Sequence, residues 1–372
     1  MVETVIEGPK YKKVYQALWR DIQSGRLKKG DRLPSEAELV RKFGASRITV
    51  GRAVRDLQRE GVVERRAGSG TYVRAPQTAA ALSFGLLIPD LGETDIFEPV
   101  CQGMMASPLA RKHALVWGSP SGGGSKDELA WQLCRHYIER RVAGVFFAPL
   151  EFGDDRDAVN VRIADALDAA RIPVVLLDRT VSPYPDRGHH DLVGIDNRRA
   201  GYIVTAHLLE RGSRRVGFVA LANTAATVGA REAGYREALF AFDHPIERSL
   251  MQRLDPGDLE GVRRWMHANG PDAIVCANDR TGGRLMQTLR RLGYAVPGDV
   301  RMTGIDDAGL AALLPVPLTT LRQPTRQIGD AAMSAMLDRV ARRDLPPRDI
   351  LLACELVVRE SSGAPVDPAA RR

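Results

Sequence analysis

The sequence lacks the features that mark several classes of protein. No apolar run among its 372 residues approaches the roughly 20 residues needed to cross a bilayer. The first 13 residues have no apolar core of the kind found in secretory signal peptides. The four cysteines are far apart and form no C-x-x-C pattern, which argues against a disulfide framework or a structural zinc site. We expect a cytoplasmic protein without a membrane partner and with reduced cysteines at positions 101, 134, 276 and 354.

Lysine is scarce outside the first fifth of the chain. Beyond residue 75 the sequence contains only Lys112 and Lys126. An enzyme that uses pyridoxal phosphate needs a lysine near the centre of its body for the Schiff base. There is also no G-x-S-x-G motif, and the "SGGGS" at residues 121–125 lacks the G-K-[ST] of a phosphate loop. We expect no enzyme and no cofactor; an enzyme fused to a DNA-binding domain remains the alternative function.

The basic charge is concentrated at one end of the chain. Residues 1–75 hold 17 Lys and Arg against 9 Asp and Glu, so this segment carries the whole basic excess of a chain with net charge +7. A compact basic segment attached to a neutral body favours binding to a polyanion, most often nucleic acid. Charge alone leaves open a basic surface that is merely solvated.

The basic segment has the pattern of a small helical domain. Apolar residues recur at helical spacing over residues 11–22. A second helix opens at a capping box formed by Ser35 and Glu38, and a third helix begins at Ser46 as its N-cap. Residues 61–73 then alternate apolar and polar around "AGSG", which indicates a hairpin. This order predicts a winged helix-turn-helix over residues 8–74, with a small helical domain that binds protein as the alternative.

The third helix and the hairpin supply the candidate DNA contacts. Arg47 and Arg52 are candidates for base readout because one arginine can donate two hydrogen bonds to guanine. Ser46 and Thr49 can donate to phosphate at the start of the helix. The remaining members of the predicted surface are residues on or beside the exposed helical stripe and residues of the wing: Ile48, Gly51, Arg65, Arg66, Gly68 and Gly70.

The rest of the chain has an α/β pattern. Short apolar runs alternate with helical stretches, which predicts parallel sheets covered by helices. About 280 residues are many for one such sheet, so we expect two lobes with a cleft over residues 83–361, after a linker at 75–82 and before a disordered tail at 362–372. The predicted strands cover residues 82–89, 114–118, 143–149, 172–178, 215–221, 272–278 and 300–306.

Polar side chains stand at the ends of several predicted strands. Ligands of open α/β sheets bind outside the carboxyl ends of the strands, so these side chains should converge on one crevice. Carboxylates, an amide and an arginine suit a neutral polyhydroxylated ligand, although any single aspartate could instead cap a helix. The candidate ligand contacts are Asp90, Asp178, Arg179, Asn278 and Asp306, with Phe97 as an apolar wall.

The basic segment resembles the winged-helix domain of the GntR family of bacterial transcription regulators. The motifs "G-x-L-x-x-G-x-x-L-P-S-E" and "S-R-x-T-V" stand in the family's order within about 65 residues. The resemblance implies that Arg47, Thr49, Gly68 and Gly70 face DNA, and that the "P-S-E" residues Ser35 and Glu36 lie at the same surface. Gly51 departs from the pattern, because the family commonly has arginine there.

The larger part resembles the effector domain of the LacI family, which is itself similar to periplasmic sugar-binding proteins. The matching stretches include "LERGSRRVGFVAL", "PDAIVCANDRTGG" and "PLTTLRQP". The resemblance implies a two-lobed fold that dimerises. It implies ligand contacts by Arg231, Asn278, Asp306 and Gln323, with Asp178 and Arg179 as in sugar binders that carry "L-D-R".

A GntR-like reader joined to a LacI-like sensor resembles the arrangement of arabinose-type repressors. We therefore predict a homodimer that represses transcription from a near-palindromic double-stranded DNA operator and responds to a sugar or sugar derivative. A transport protein is the less favoured alternative. We expect no metal at His189 and His190 in the polar loop 182–191, because no third ligand has a useful spacing in the sequence.

Overall fold

The chain folds into two compact units, Met1–Leu82 and Ser83–Arg372, in this computed structural model. Two predicted segments, the linker at 75–82 and the tail at 362–372, lie outside the described residues except for 81, 82, 362 and 363. No described helix is long and apolar enough to cross a membrane. The structure describes residues 10–23, 26–28, 30–59, 61–66, 69–74, 81–89, 91–92, 95–118, 125–151, 155–222 and 224–363.

The first unit contains three helices followed by a two-stranded antiparallel hairpin, which confirms the predicted winged helix-turn-helix. Its core is formed by the apolar faces of all three helices and by the base of the hairpin. One apolar stripe of the third helix is buried in this core and consists of Val50, Ala53, Val54 and Leu57. The elements are α1 (Lys10–Gln23), α2 (Glu36–Phe43), α3 (Arg47–Arg59), β1 (Val63–Arg66) and β2 (Gly70–Val73).

The predicted caps set where the second and third helices begin. Ser35 and Glu38 satisfy each other's backbone amides in a complete capping box at the start of α2. Gly44 then ends α2 with φ 56°, a left-handed conformation that glycine adopts without strain. At the start of α3 the Oγ of Ser46 accepts a hydrogen bond from the backbone amide of Thr49 at 3.2 Å. The turn between the two helices is therefore encoded locally.

The second unit contains two six-stranded sheets, each covered by helices. The first sheet is wholly parallel, with spatial order β13, β7, β6, β5, β3, β4. We call this sheet and its helices the first lobe. Its elements are β3 (Ser83–Leu87), α4 (Phe97–Ala106), β4 (Ala114–Trp117), α5 (Lys126–Glu139), β5 (Gly144–Phe147), α6 (Arg156–Ala169), β6 (Val174–Leu177), β7 (Asp191–Ile195), α11 (Thr325–Ala341) and β13 (Asp349–Leu352).

The second lobe is built around the other sheet, which has spatial order β14, β12, β11, β10, β8, β9. All its pairs are parallel except β12 with β14. The predicted α/β class with parallel sheets is confirmed, and each of the seven predicted runs contains a strand. The elements are α7 (Asn197–Glu210), β8 (Val216–Ala220), α8 (Ala226–Ala241), β9 (Met251–Arg253), α9 (Leu259–Asn269), β10 (Ala273–Cys276), α10 (Asp279–Arg291), β11 (Arg301–Asp306), β12 (Thr319–Arg322) and β14 (Glu355–Val357).

The chain passes between the two lobes three times. It leaves the first sheet after β7 and enters the second lobe at α7, returns after β12 to form α11, and crosses again between β13 and β14. The crossings fall at Asp196, at Gln323–Pro324 and at Ala353–Cys354. Three short backbone segments join the two lobes at these crossings, which together form a hinge. The motion of one lobe relative to the other is therefore restricted to bending and twisting at this hinge.

Each lobe contains a pair of helices whose backbones meet through glycine. In the first lobe, α4 contacts α11, and a Cβ at Gly103 or Gly329 would overlap the backbone of the opposite helix. In the second lobe, α7 contacts α8 in the same way through Gly201 and Gly234. A side chain at any of the four positions would push the paired helices apart.

We predict that Gly201→Ala lowers the free energy of unfolding of the second unit by about 1–3 kcal/mol, because the added methyl group would overlap the carbonyl oxygen of Arg231. Gly229→Ala is the matched control, since Gly229 is exposed in α8 with open space around its Cα. The control should be neutral or slightly stabilising. Urea unfolding of the two variants measures the difference, and equal midpoints would contradict the helix contact.

Candidate functional site

The outer face of α3 presents the predicted recognition residues to solvent. Arg47, Ile48 and Arg52 are exposed, and the side chain of Ile48 is 81% exposed although it is apolar. An isoleucine left in water on a basic helix is suited to contact a thymine methyl group. Thr49 is half-buried, and its hydroxyl is hydrogen-bonded to the Oγ of Ser46 at 2.8 Å. These side chains form one surface at the start of the helix.

Gly51 differs from its predicted position beside the exposed stripe, whereas Arg52 is exposed as predicted. Gly51 is buried rather than on the border of the exposed stripe, because the side chain of Arg55 lies over it; a Cβ there would stand 3.7 Å from Arg55 Nη1. That distance is ordinary contact, so a side chain can be added. The guanidinium of Arg52 lies 4.1 Å from the centre of the Tyr11 ring, a cation–π contact with α1. The side chain of Arg52 is therefore exposed to solvent and packs against α1 at the same time.

The wing contains two exposed arginines and a glycine that lies against Arg32. Arg65 and Arg66 are both exposed, and Arg66 is paired with Glu64 at 2.6 Å between Nη2 and Oε1. Gly70 has φ 124°, and a Cβ there would lie 2.6 Å from Nε of Arg32. The glycine therefore lets the side chain of the exposed Arg32 lie against the start of β2, beside the turn of the wing. The second predicted wing glycine, Gly68, lies outside the described residues.

The residues at the start of α2 follow a local sequence motif, whereas Arg32 joins the same domain surface only through a contact between distant segments. Ser35 and Glu36 are exposed at the start of α2, where the resemblance placed them. Arg32 was not predicted, because its approach to Gly70 depends on residues 30–33 running beside β2: the amide of Leu33 donates to the carbonyl of Thr71 at 2.8 Å. Only a contact between distant segments brings Arg32 to this surface.

A cavity lies between the two lobes of the second unit, where the carboxyl ends of strands meet. Asp178 and Arg179 follow β6, Asn278 precedes α10, Asp306 ends β11, and Arg231 projects from α8. All five line this one cavity. The strand-end rule therefore brought together residues that are separated by up to 128 positions in sequence. Among the other residues that line it are Asp95, Ile96, Glu151, Thr227, Arg280 and Arg284.

On the first-lobe side, a buried arginine is held between two carboxylates. Nη1 of Arg179 lies 3.3 Å from Oε2 of Glu151, and its Nε donates to Oδ2 of Asp178 at 3.1 Å. The other oxygen of that carboxylate, Asp178 Oδ1, is buried and accepts no hydrogen bond from the described residues. Asp178 also has φ 68°, a strained conformation for a residue with a side chain. One buried acceptor thus remains for a ligand donor.

On the second-lobe side, Arg231 is fixed by three partners. It donates to Asn197 Oδ1 at 2.8 Å and to the carbonyl of Ala277 at 2.7 Å, and its Nη2 lies 3.5 Å from Asp306 Oδ1. The same carboxylate oxygen accepts a hydrogen bond from Gln323 at 2.8 Å. The guanidinium is therefore preorganised before any ligand arrives.

Burial sets the protonation of Asp306. Loss of solvent raises the pKa of its carboxyl to about 6, and the nearby carboxylates of Asp178 and Glu151 act in the same direction. Arg231 and Gln323 oppose this rise by stabilising the ionised form. Asp306 has φ 123°, so backbone strain accompanies the perturbed carboxyl.

Three predicted contacts have different outcomes: one does not line the cavity, one lines it and has a second role, and one is not described. Phe97 is buried and does not line the cavity; its ring lies behind Arg179, 5.7 Å from the guanidinium carbon, and the neighbouring Ile96 supplies the apolar wall. Asn278 lines the cavity but also caps α10, accepting a hydrogen bond from the amide of Thr281 at 2.9 Å. Asp90 lies outside the described residues.

Two contributors were missed by sequence reasoning. Glu151 stands four residues beyond the end of β5, so a wider search at strand ends would have found it. Asn197 follows the first crossing and gives no local signal of its role, because its partner Arg231 lies 34 residues away. Gln323, which the resemblance suggested, is buried at the second crossing and reaches the site through Asp306.

The reason given for excluding a metal at His189 and His190 is wrong. A third potential ligand, Asp168 at the end of α6, lies against both imidazoles. It was missed because it is 21 residues away in sequence and reaches the loop only in the folded chain.

Two family models match the chain. Residues 10–73 match the bacterial regulatory proteins of the gntR family, and residues 205–362 match the periplasmic binding protein-like domain. The arabinose metabolism transcriptional repressor of Geobacillus stearothermophilus is 24% identical, over 95% of this chain and 98% of its own length. The HTH-type transcriptional regulator CelR of Thermobifida fusca is 27% identical, over 85% of this chain and 89% of its own.

The solved structures that resemble the chain are also transcription regulators. A complex of the transcriptional regulator CelR with cellobiose is 25% identical, with a TM-score of 0.63 over 85% of this chain and 91% of that one. The transcription regulator GntR of Chromobacterium violaceum is 27% identical, with a TM-score of 0.59 over 76% of this chain and 100% of that one. Both resemblances seen in the sequence are thereby confirmed.

We predict a pH-dependent difference in stability between the parent and Asp306→Asn. The folded-state pKa of about 6 exceeds the unfolded value, so the folded state binds this proton more tightly, and the resulting stability is lost as pH rises through about 6. Asparagine does not titrate. The free energy of unfolding of the parent should therefore fall relative to the variant by up to about 3 kcal/mol between about pH 4 and pH 7.

Urea unfolding of both proteins across this pH range measures the change. The loss of the anionic partner of Arg231 is already part of this profile, because the attraction of Arg231 for the ionised carboxylate is one of the effects that set the pKa of Asp306. Parallel pH profiles for the two proteins would show that Asp306 does not titrate as described.

Proposed function

We propose that this DNA-binding transcription regulator, which joins a GntR-type domain to a periplasmic-binding-protein-like domain, is a repressor released by a small neutral polyhydroxylated ligand. The observation that carries the ligand proposal is the buried, unsatisfied Oδ1 of Asp178 in a cavity that also holds Arg231 and Asp306. A buried acceptor without a donor is costly, so a ligand hydroxyl that donates to it would bind favourably.

The charges of the cavity favour a neutral ligand. Arg179 is already paired with Glu151 and Asp178, and Arg231 with Asp306. The two other arginines that line the cavity, Arg280 and Arg284, are paired with Asp95 and Asp255, so each of the four has an acidic partner. A sugar hydroxyl both donates and accepts, so neighbouring hydroxyls can bridge a carboxylate and a guanidinium. The relatives agree with this chemistry: one is named for arabinose metabolism, and the solved CelR complex holds cellobiose.

For the DNA side, we propose that α3 enters the major groove and that the wing contacts the adjacent backbone. Arg47 and Ile48 would read base edges, Ser46 and Thr49 would contact phosphate, and Glu36 would lie at the same surface. The stack of Arg52 on Tyr11 orients its guanidinium for either a base or a phosphate. The remaining proposed contacts are Ser35, Gly51, Arg65, Arg66, Gly68 and Gly70, to which the structure adds Arg32.

The cavity is connected to the hinge, which suggests how a ligand would act on DNA binding. Asn197 lies at the first crossing and holds Arg231, while Gln323 lies at the second and holds Asp306. A ligand that changes the separation of these groups therefore bends the crossings and moves one lobe against the other. In a homodimer, this motion would alter the spacing of two DNA-binding units on a near-palindromic operator.

Coupling of this kind is typically about 1–3 kcal/mol, enough for a 5- to 150-fold change in operator affinity. We place the protein in the cytoplasm, where its operator is. We do not propose the alternative of an enzyme fused to the DNA-binding unit, because the relatives that match most of the chain are transcription regulators.

We predict that Arg47→Ala weakens binding to the preferred DNA duplex by about 10- to 100-fold, as loss of one bidentate base contact costs about 1–3 kcal/mol. Arg20→Ala is the control, because Arg20 is an exposed arginine on α1 and its loss changes the net charge equally. The duplex is first selected by the parent protein from a random library, and fluorescence anisotropy gives the affinities. Equal losses in the two variants would mean that α3 does not read bases.

We predict that a panel of mono- and disaccharides contains a compound that raises the melting temperature of the parent, and that Asp178→Asn reduces this shift at least several-fold. Binding to the folded state alone raises the melting temperature, and asparagine removes the charge of the acceptor. Asp344→Asn, a change at an exposed loop aspartate, should leave the shift intact. A shift that survives Asp178→Asn unchanged would place the ligand elsewhere.

A further inference from the structure

A cluster of two histidines and one aspartate lies on the first lobe, away from the cavity between the lobes. Nε2 of His189 lies 2.7 Å from Oδ2 of Asp168, and Nε2 of His190 lies 3.2 Å from Oδ1 of the same carboxylate. One potential ligand atom from each of the three residues lies within 4.8 Å of the others. The two ring centres are 4.3 Å apart.

The convergence is a product of the loop conformation. Consecutive residues of an extended chain project to opposite sides, so neighbouring imidazoles normally diverge. Here Gly188 has φ 71°, and Arg187 donates to the carbonyl of His190 at 3.0 Å. The loop is thereby turned so that both rings meet the last turn of α6, where Asp168 stands.

The donor set suits a divalent transition metal. Imidazole and carboxylate ligands favour zinc, nickel, copper or iron(II), whereas magnesium and calcium prefer oxygen alone. Zinc binds nitrogen and oxygen at about 2.0–2.2 Å, which sets tetrahedral ligands roughly 3.3 Å apart. The two nitrogen–oxygen distances, 2.7 and 3.2 Å, are both shorter than this spacing, so the side chains would rotate slightly apart to admit the ion.

The charges and the access are also favourable. A carboxylate is ordinarily ionised at neutral pH, so Asp168 would supply one negative charge to the ion. Asp168 lies at the carboxyl end of α6, where the helix dipole favours a cation. Arg187, the nearest arginine in sequence, is paired with Asp349 at 2.5 Å. The side chain of His189 is 71% exposed, which leaves an open path from solvent.

We propose that Asp168, His189 and His190 form a binding site for a divalent transition-metal ion, with solvent at the remaining position. The ion would fasten loop 180–190 to the end of α6. That loop begins directly after Asp178 and Arg179 at the carboxyl edge of the first sheet and ends at β7 on the opposite edge. The proposed metal site therefore lies at the end of the loop that begins next to the cavity residues Asp178 and Arg179.

Zinc titration of the full chain, stripped of metal with a chelator and followed by calorimetry, tests the site. We expect the parent to bind one zinc ion per chain with a Kd in the micromolar range or below, and His189→Ala and Asp168→Asn to bind at least about tenfold more weakly. His267→Ala is the matched control, because it removes an exposed histidine from α9 in the other lobe. It should bind zinc as the parent does.

A second readout distinguishes coordination from incidental binding. Cobalt(II) added to the parent should give the visible absorption of a tetrahedral nitrogen and oxygen site, and His189→Ala should abolish it; excess magnesium should not. His189 is exposed, so its variant should fold as the parent does, as checked by circular dichroism. Zinc binding that is absent from the parent, or equally tight in His189→Ala, would show that the cluster is a hydrogen-bonded triad and not a metal site.

Discussion

The second unit is organised around charges buried between its two lobes. Removing an ionised group from water is costly unless it is paired and hydrogen-bonded, so the charged groups set deepest in the cavity constrain one another. Glu151 and Asp178 hold Arg179 on one lobe, while Asp306 holds Arg231 on the other. One buried oxygen of Asp178 accepts no hydrogen bond from the described residues, and the backbone is strained at Asp178 and at Asp306. Strain and an unsatisfied acceptor at one place are typical of a binding site rather than of a structural core.

The hydrogen bonds of these charged cavity residues extend to the crossings between the two lobes, where the lobes can move. Asn197 and Gln323 each stand at a crossing and each bond a charged cavity residue. Within each lobe, by contrast, paired helices meet backbone to backbone through glycines, which leaves little room for deformation. Motion is therefore directed to the hinge, and the side chains at the hinge are those a ligand would rearrange.

Local patterns in the sequence predicted much of this architecture. Ser35 and Ser46 marked the starts of their helices because a cap acts on the amides next to it in sequence. The strand-end rule predicted that Asp178, Asn278 and Asp306 lie together because the carboxyl ends of parallel strands share one edge of a sheet. What the sequence did not disclose depends on contacts between distant segments. β13 completes the first sheet although it follows every strand of the second lobe except β14. Tyr11 contacts Arg52 from a different helix, and Asp168 contacts the histidine pair only through the folded loop.

The central claim is that the cavity and the DNA-binding surface are energetically coupled, and coupling of this kind must be reciprocal. The most direct measurement is a pair of titrations: operator affinity with and without saturating ligand, and ligand affinity with and without saturating operator. Ligand-released repression predicts that each partner weakens the other by the same factor, at least about fivefold. If neither affinity changes, the cavity binds a ligand without controlling DNA binding, and the proposed mechanism is wrong.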